Sequence, residues 1–273
     1  MRPIRLLLIA LAGFAAFACA QRRSAESSAT TVEWTMRDER TSWSADTTDT
    51  TKNVWVALHY PEFTAAPSRA ARDSLNRWAH ERRFALLEGD TLERTVNGLA
   101  ARLIREFQSY RSETGTEAAT PWYLDADVDV EWDSLGVVSM MSFTESYLGG
   151  AHGETERRWG VLDASTGRRL RVEDLVDAAA LDSLRQAGEA AFRIKRQLAP
   201  GASLEGSGFE FEGGVFRLPA NFGLSAEGFE FVWPACEIAP CLFGPTEFKV
   251  PWNTVRSMLK ADGPLGALRT AAS

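Results

Sequence analysis

Beyond its N-terminus the sequence contains no apolar run near the ~18 residues that a membrane-crossing helix requires, so no internal membrane span is expected. It is poor in the residues that build metal and nucleophile sites. The three histidines, His59, His80 and His152, are far apart, and none lies in an H-E-x-x-H or C-x-x-C frame, so no metal site is expected. There is no G-x-S-x-G elbow and no phosphate-cradling glycine loop. Ser257-Met258-Leu259-Lys260 matches S-x-x-K, but it stands without the S-D-N or K-T-G partner that gives that motif its chemistry. No catalytic residue and no cofactor can be named from these patterns. Basic residues are also in deficit, 30 Lys+Arg against 37 Asp+Glu, which argues against nucleic-acid binding. A mildly acidic surface suits a basic protein partner, although solubility alone accounts for such a charge equally well.

What is present begins with an export signal. Arg2 and Arg5 supply a positive start, and Leu6 to Phe17 is unbroken small and apolar sequence. As a helix that run would reach only ~18 Å, short of a ~30 Å hydrocarbon core. Two cleavage readings are open. Ala16-Phe17-Ala18-Cys19 resembles a lipoprotein box, which would make Cys19 a lipidated first residue anchoring the chain in a bacterial envelope membrane, on the periplasmic face or cell surface. Acyl chains contribute ~0.8 kcal/mol per buried CH₂. Alternatively, Ala18-Cys19-Ala20 is a small-x-small site, and cleavage before Gln21 would release the protein. Residues 21–31 (QRRSAESSATT) are polar and aperiodic, as a tether would be.

The remainder, at 45% hydrophobic and 25% charged, is ordinary for a folded protein. Val32, Trp34 and Met36 alternate with polar residues as a half-buried strand does, Thr41 to Lys52 is loop-like, and Val54 to Tyr60 alternate again until Pro61. Ser68 is placed to cap a helix to about Leu87, with Ala71, Leu75, Trp78 and Ala79 on one face. After Gly89-Asp90, a second helix from about Thr91 to Ser109 carries Leu92, Val96, Leu99, Leu103 and Phe107 at helical spacing. Beyond a polar linker, a hairpin turns at Asp133 to Gly136, and another is expected from Arg157 to Leu162 through Asp163–Gly167 into Arg169–Val172. Helical spacing follows from Glu173 to Leu198. Short strands are expected at Val215–Leu218, Phe229–Val232 and Glu247–Val250, and a last helix at Asn253–Leu259. The fold class is α+β: antiparallel hairpins with packed helices, a small N-terminal strand-helix subdomain (32–115) and a larger C-terminal domain (121–262).

Three features carry possible chemistry. Asp125, Asp127, Asp129, Glu131 and Asp133, spaced by two, lie on one face of a strand whose other face is Val128, Val130 and Trp132, which reads as a solvated face; weak calcium binding is the alternative, without an EF-hand loop because Val130 stands where that loop needs glycine. Cys236 and Cys241 form an even pair suited to a disulfide in an oxidising compartment, the alternative being two buried thiols. A loop that short yields only about 2 kcal/mol of chain entropy, so the bridge would chiefly shape the loop around Pro240. Tyr147-Leu148-Gly149-Gly150-Ala151-His152-Gly153 follows a strand, and its glycines permit an unusual backbone path around His152. Tyr147, Gly149, Gly150, His152 and Gly153 are candidate ligand-binding residues. A structural turn with the imidazole bonded to local backbone is the alternative, and a lone histidine is weak evidence for catalysis.

SYLGGAHGET, VLDASTGRRLRVEDLV and GFEFVWPACEIAPCLFGPTEFKVPW, in that order, resemble the C-terminal domain shared by RsiV-type lysozyme-sensing anti-sigma factors and PdaC-type peptidoglycan deacetylases. Asp163, Thr166, Gly167, Leu170, Asp174 and Leu175 match one family segment; Pro234, Glu237, Ile238, Ala239, Pro240 and Gly244 match another, with Cys236 and Cys241 where the family has tyrosines. The segment from Val32 to about Ser112 resembles the smaller domain that accompanies it. The resemblance implies a sensory or binding module without the sigma-binding segment or the metal-dependent catalytic domain. Its partner would be a basic, lysozyme-like muramidase or a peptidoglycan fragment. A hydrolase acting through His152 and a structural lipoprotein are the rival readings.

Overall fold

The computed structural model describes residues 31–46, 48, 53–82, 95–115 and 120–270. The export signal, Cys19 and most of the tether lie outside these residues, as do Gly89-Asp90, Leu92 and the expected end of the first helix at Leu87. The chain is α+β, as the sequence pattern implies, with a five-stranded and a three-stranded sheet.

The first sheet contains β1 (Glu33–Ser44), β2 (Asn53–Ala65), β3 (Trp122–Ser134), β4 (Val137–Tyr147) and β5 (Glu154–Asp163), in the order β1-β2-β3-β4-β5. All neighbours are antiparallel except β2 and β3, which run parallel. That parallel step needs a crossover, supplied by α1 (Arg69–Arg82) and α2 (Val96–Thr114). Both helices bury the faces their spacing marks out: Ala71, Leu75, Trp78 and Ala79 on α1, and Leu99, Leu103 and Phe107 on α2. They cover the sheet face made by Val54, Val56 and Leu58 of β2 and Leu124, Ala126 and Val128 of β3. The sheet therefore combines strands from both sides of the polar linker, Ser112 to Thr120, that the sequence reads as a division.

Ser68 caps α1, its Oγ accepting from the Ala71 N–H at 3.0 Å and donating to the Ser165 carbonyl at 3.0 Å. Ser68→Ala loses both bonds and should lower the urea-unfolding free energy by about 1 kcal/mol; an unchanged midpoint would mean that water replaces the cap without cost.

Four expectations are corrected. β1 continues through Thr41–Ser44, because these residues pair with Val56 to Asn53 and Trp43 meets Phe107 edge-on. β2 continues through Pro61 to Ala65, since its pairing with β3 ends at His59–Asp127 and no donor is needed on that side beyond it. The hairpin returning after Gly167 shrinks to a single bridge, Leu162–Arg169, before α3 (Val172–Leu175). Residues 215–218 form no strand; Phe216 instead fills the core beside Phe192.

The second sheet, β6 (Phe222–Leu224), β7 (Gly228–Trp233) and β8 (Thr246–Pro251), is covered on its apolar face by α4 (Leu181–Lys195) and followed by α5 (Trp252–Val255). Phe222, Phe229, Phe231 and Phe248 stack along that face, and Phe192 of α4 meets Phe209, Phe211, Phe216 and Phe248. Hydrogen bonds from two residues of the second sheet and its approach reach the first. The Asn221 side chain accepts from the Trp159 N–H at 2.8 Å and donates to the Arg157 carbonyl at 2.9 Å, closing the edge of β5 as a strand would. The Leu224 N–H donates to Ser139 Oγ at 2.9 Å. A disulfide joins Cys236 to Cys241 across a Cα separation of 4.2 Å.

Candidate functional site

The glycine-rich loop is the β4–β5 hairpin connection. Gly149 and Gly150 both have φ near +92°, which favours glycine. Gly149 also lies against the Trp122 indole, where a Cβ would come within 2.7 Å of the ring. Tyr147 Oη donates to the Gly150 carbonyl at 2.9 Å, and a Cβ on Gly153 would stand 2.8 Å from the Ser146 carbonyl oxygen. The loop is thus held by packing at both ends. His152 is exposed, with Nδ1 3.0 Å from the Gly153 carbonyl oxygen. No carboxylate pairs with it among the described residues, and cavities of ≈ 680, 160, 410 and 620 Å³ elsewhere in the molecule do not include it. This is the local backbone bond expected of a structural turn, presented at the surface.

The loop borders the sheet face that α1 and α2 leave open. Register brings Trp55 and His59 of β2, Tyr123, Asp125, Asp127 and Asp129 of β3, Phe143 and Glu145 of β4 and Arg157 of β5 onto this face. Trp55 and Tyr123 stack with centroids 4.8 Å apart and planes 7° apart. Tyr123 Oη donates to Glu145 at 2.6 Å, and that bond, with burial and the nearby carboxylates, pushes the phenol up to about 12. The same hydroxyl reaches the loop, 3.9 Å from where a Gly153 Cβ would be. At the other end the face runs into a cleft of ≈ 410 Å³ between the two sheets, where Glu131, Glu227, Glu230, Glu247, Arg157 and Lys249 converge. There Arg157 pairs with Glu247, and Lys249 with Glu227 and Glu230.

The acidic row is not one uniform solvated face: Asp125, Asp127 and Asp129 are half-buried, Glu131 and Asp133 are exposed, and a bulge between Val130 and Trp132 turns Asp133 away from the other carboxylates. Partial burial, the largest cause, raises Asp125, Asp127, Glu131 and Asp133; mutual repulsion adds to this at Asp127, between Asp125 and Asp129. His59 is raised by its 2.6 Å contact with Asp38. A carboxyl whose folded pKa lies above its unfolded value costs no stability at low pH, where both states are neutral, and removes stability as pH rises through the folded value. Asp127→Asn should therefore stabilise the protein at pH 7 by about 0.5 kcal/mol, the scale of one like-charge cross-strand pair. The gain should vanish in unfolding measured at acid pH; a loss at pH 7 would show that the carboxylate has a stabilising partner.

Sequence reasoning found the loop and the acidic row separately. It missed Trp55 and Tyr123, whose pairing depends on the parallel β2–β3 contact, and the cleft, which needs both sheets.

A family model for the deacetylase PdaC matches residues 46–155, and one for a protein of unknown function (DUF3298) matches residues 173–253. The chain carries the PdaC and DUF3298 domains. The glycine loop and acidic row fall within the PdaC match, and α4 with the second sheet within the DUF3298 match. Solved structures share the fold. A DUF3298-family protein from Bacteroides fragilis superposes with TM-score 0.63 at 19% identity, covering 88% of this chain and 99% of that one. A DUF3298-family protein from Pseudomonas aeruginosa gives 0.59 at 13%, covering 85% and 96%. No protein of curated function is detectably similar in sequence.

Proposed function

We propose that this PdaC–DUF3298 protein is a non-enzymatic binding module, exported to the bacterial envelope and held there by lipid on Cys19, whose partner is a basic, muramidase-like protein. The observation that carries this reading is the open sheet face. A row of carboxylates, Asp125, Asp127 and Asp129, lies beside the stacked Trp55–Tyr123 pair, and Tyr123 connects both to the rigid Gly149–Gly153 loop. Half-buried carboxylates that repel one another gain when lysine or arginine meets them, and aromatic rings beside them accept cations on their faces. An exposed histidine with only a backbone partner suits a contact residue better than a general base.

The test is calorimetric titration of residues 21–273 with lysozyme and, separately, with soluble muropeptides. Saturable lysozyme binding that His152→Ala or Gly150→Val weakens at least tenfold supports the reading. Gly150 is suited to this because a side chain there meets no neighbour, so the change acts through the loop backbone alone. Binding of muropeptides but not lysozyme would move the partner to the cell-wall polymer, and heat from neither would overturn the proposal.

A further inference from the structure

On the helix-covered side of the molecule, beside the β5 edge that Asn221 closes, a small cavity of ≈ 160 Å³ is lined by Arg82, Arg158 and Arg169 together with Trp78, Trp159 and Asn221. It is far smaller than the ~300–1,000 Å³ pockets that hold drug-sized ligands. Three guanidiniums meet here in a chain whose net charge is −7. Their partners do not balance them. Arg158 pairs with Glu156 at 2.7 Å. Arg169 donates to the Trp159 carbonyl at 3.2 Å and pairs with no carboxylate, and Arg82 has no ion pair among the described residues. Among the described residues two positive charges are left over. Burial and the repulsion of Arg82 and Arg158 both make Arg169 easier to deprotonate, the direction that crowded like charges impose.

The walls are built rather than incidental. Trp78, more than nine-tenths buried, seats its ring on Gly160, where a Cβ would overlap the indole, and Trp159 offers its backbone carbonyl to Arg169. Asn221 is fixed by its two backbone bonds to β5. Bringing three guanidiniums together costs Coulomb energy that only an anion recovers, and the planar donor fork of arginine matches a tetrahedral oxyanion.

We infer that Arg82, Arg158 and Arg169 form a site for a phosphate-type dianion, either free phosphate or a phosphate monoester, whose two charges match the two unpaired guanidiniums. The site lies apart from the acidic face and stands independently of the partner proposed for that face.

Calorimetry and thermal unfolding at fixed ionic strength test it, with inorganic phosphate, glycerol phosphate, acetate and chloride as probes. Phosphate should bind saturably and raise Tm, with acetate and chloride at least tenfold weaker. Arg82→Gln, a change at the end of α1, should weaken phosphate at least tenfold and remove the Tm rise, while Arg82→Lys should keep part of both. Equal response to glycerol phosphate would identify the monoester as a ligand; response to inorganic phosphate alone would identify the free ion. Absence of saturable phosphate binding, equal binding of acetate, or undiminished binding by a folded Arg82→Gln would each overturn the inference.

Discussion

Phe192→Ala should lower the unfolding free energy by about 3–5 kcal/mol, enough to unfold much of the population of a marginal domain at 37 °C. Phe192 is fully buried on α4, and its ring meets Phe209, Phe211, Phe216 and Phe248, so one side chain joins the helix, the irregular 204–218 segment and β8. Removing it leaves a cavity whose walls are rings held by other contacts: Phe248 by Phe231, Phe211 by Trp233 and Phe209 by Phe243. Such walls collapse poorly, which places the cost at the upper end of the range. Phe192→Leu, which refills most of the volume, should recover more than half of the loss. Urea denaturation measures both; a cost below about 1.5 kcal/mol for Phe192→Ala would mean that the aromatic cluster repacks freely.

Charge reversal on the open face is the second large effect. With Asp125, Asp127 and Asp129 all changed to Lys, affinity for lysozyme should fall at least a hundredfold, with most of the binding heat lost. The three side chains share one face of β3; burial raises Asp125 and Asp127, and repulsion from Asp125 and Asp129 adds to the penalty at Asp127. A cationic partner removes that penalty, whereas three lysines convert attraction into repulsion. Asp127→Asn should act in the same direction and more weakly, trading affinity for the stability gain argued above. Wild-type binding should also weaken steeply with added salt, since these charges lie within a Debye length of solvent. Undiminished binding by a folded triple variant would remove the acidic face from the proposed interface and leave the glycine loop alone.

The helices were legible because their evidence is local. Ala71, Leu75, Trp78 and Ala79 recur at helical spacing after a serine that can cap, and the same residues are buried in the structure. Asp125, Asp127 and Asp129 were legible as one strand face for a similar reason, period-two alternation, but the bulge between Val130 and Trp132 was not, and it turns Trp132 towards the second sheet and Asp133 off the acidic face. The paired cysteines needed only their number and spacing, and they are bridged. Strand limits were less legible. Pro61 and Thr41–Ser44 read locally as ends, yet extended pairing partners carry both strands past them.

What the chain's own pattern determined is therefore its fold class, its amphipathic faces and the position of the glycine loop, each set by residues within a few turns or strand positions of one another. Tertiary structure alone decided the rest. The parallel β2–β3 pairing stacks Trp55 on Tyr123 across more than sixty intervening residues. Packing of the second sheet on β5 creates the charged cleft, and the meeting of α1, β5 and the 169 and 220 segments gathers three arginines that no sequence window contains together. Side-chain periodicity specifies which face of an element is buried; it carries no information on which distant element will cover it, and both charged sites lie where distant elements meet.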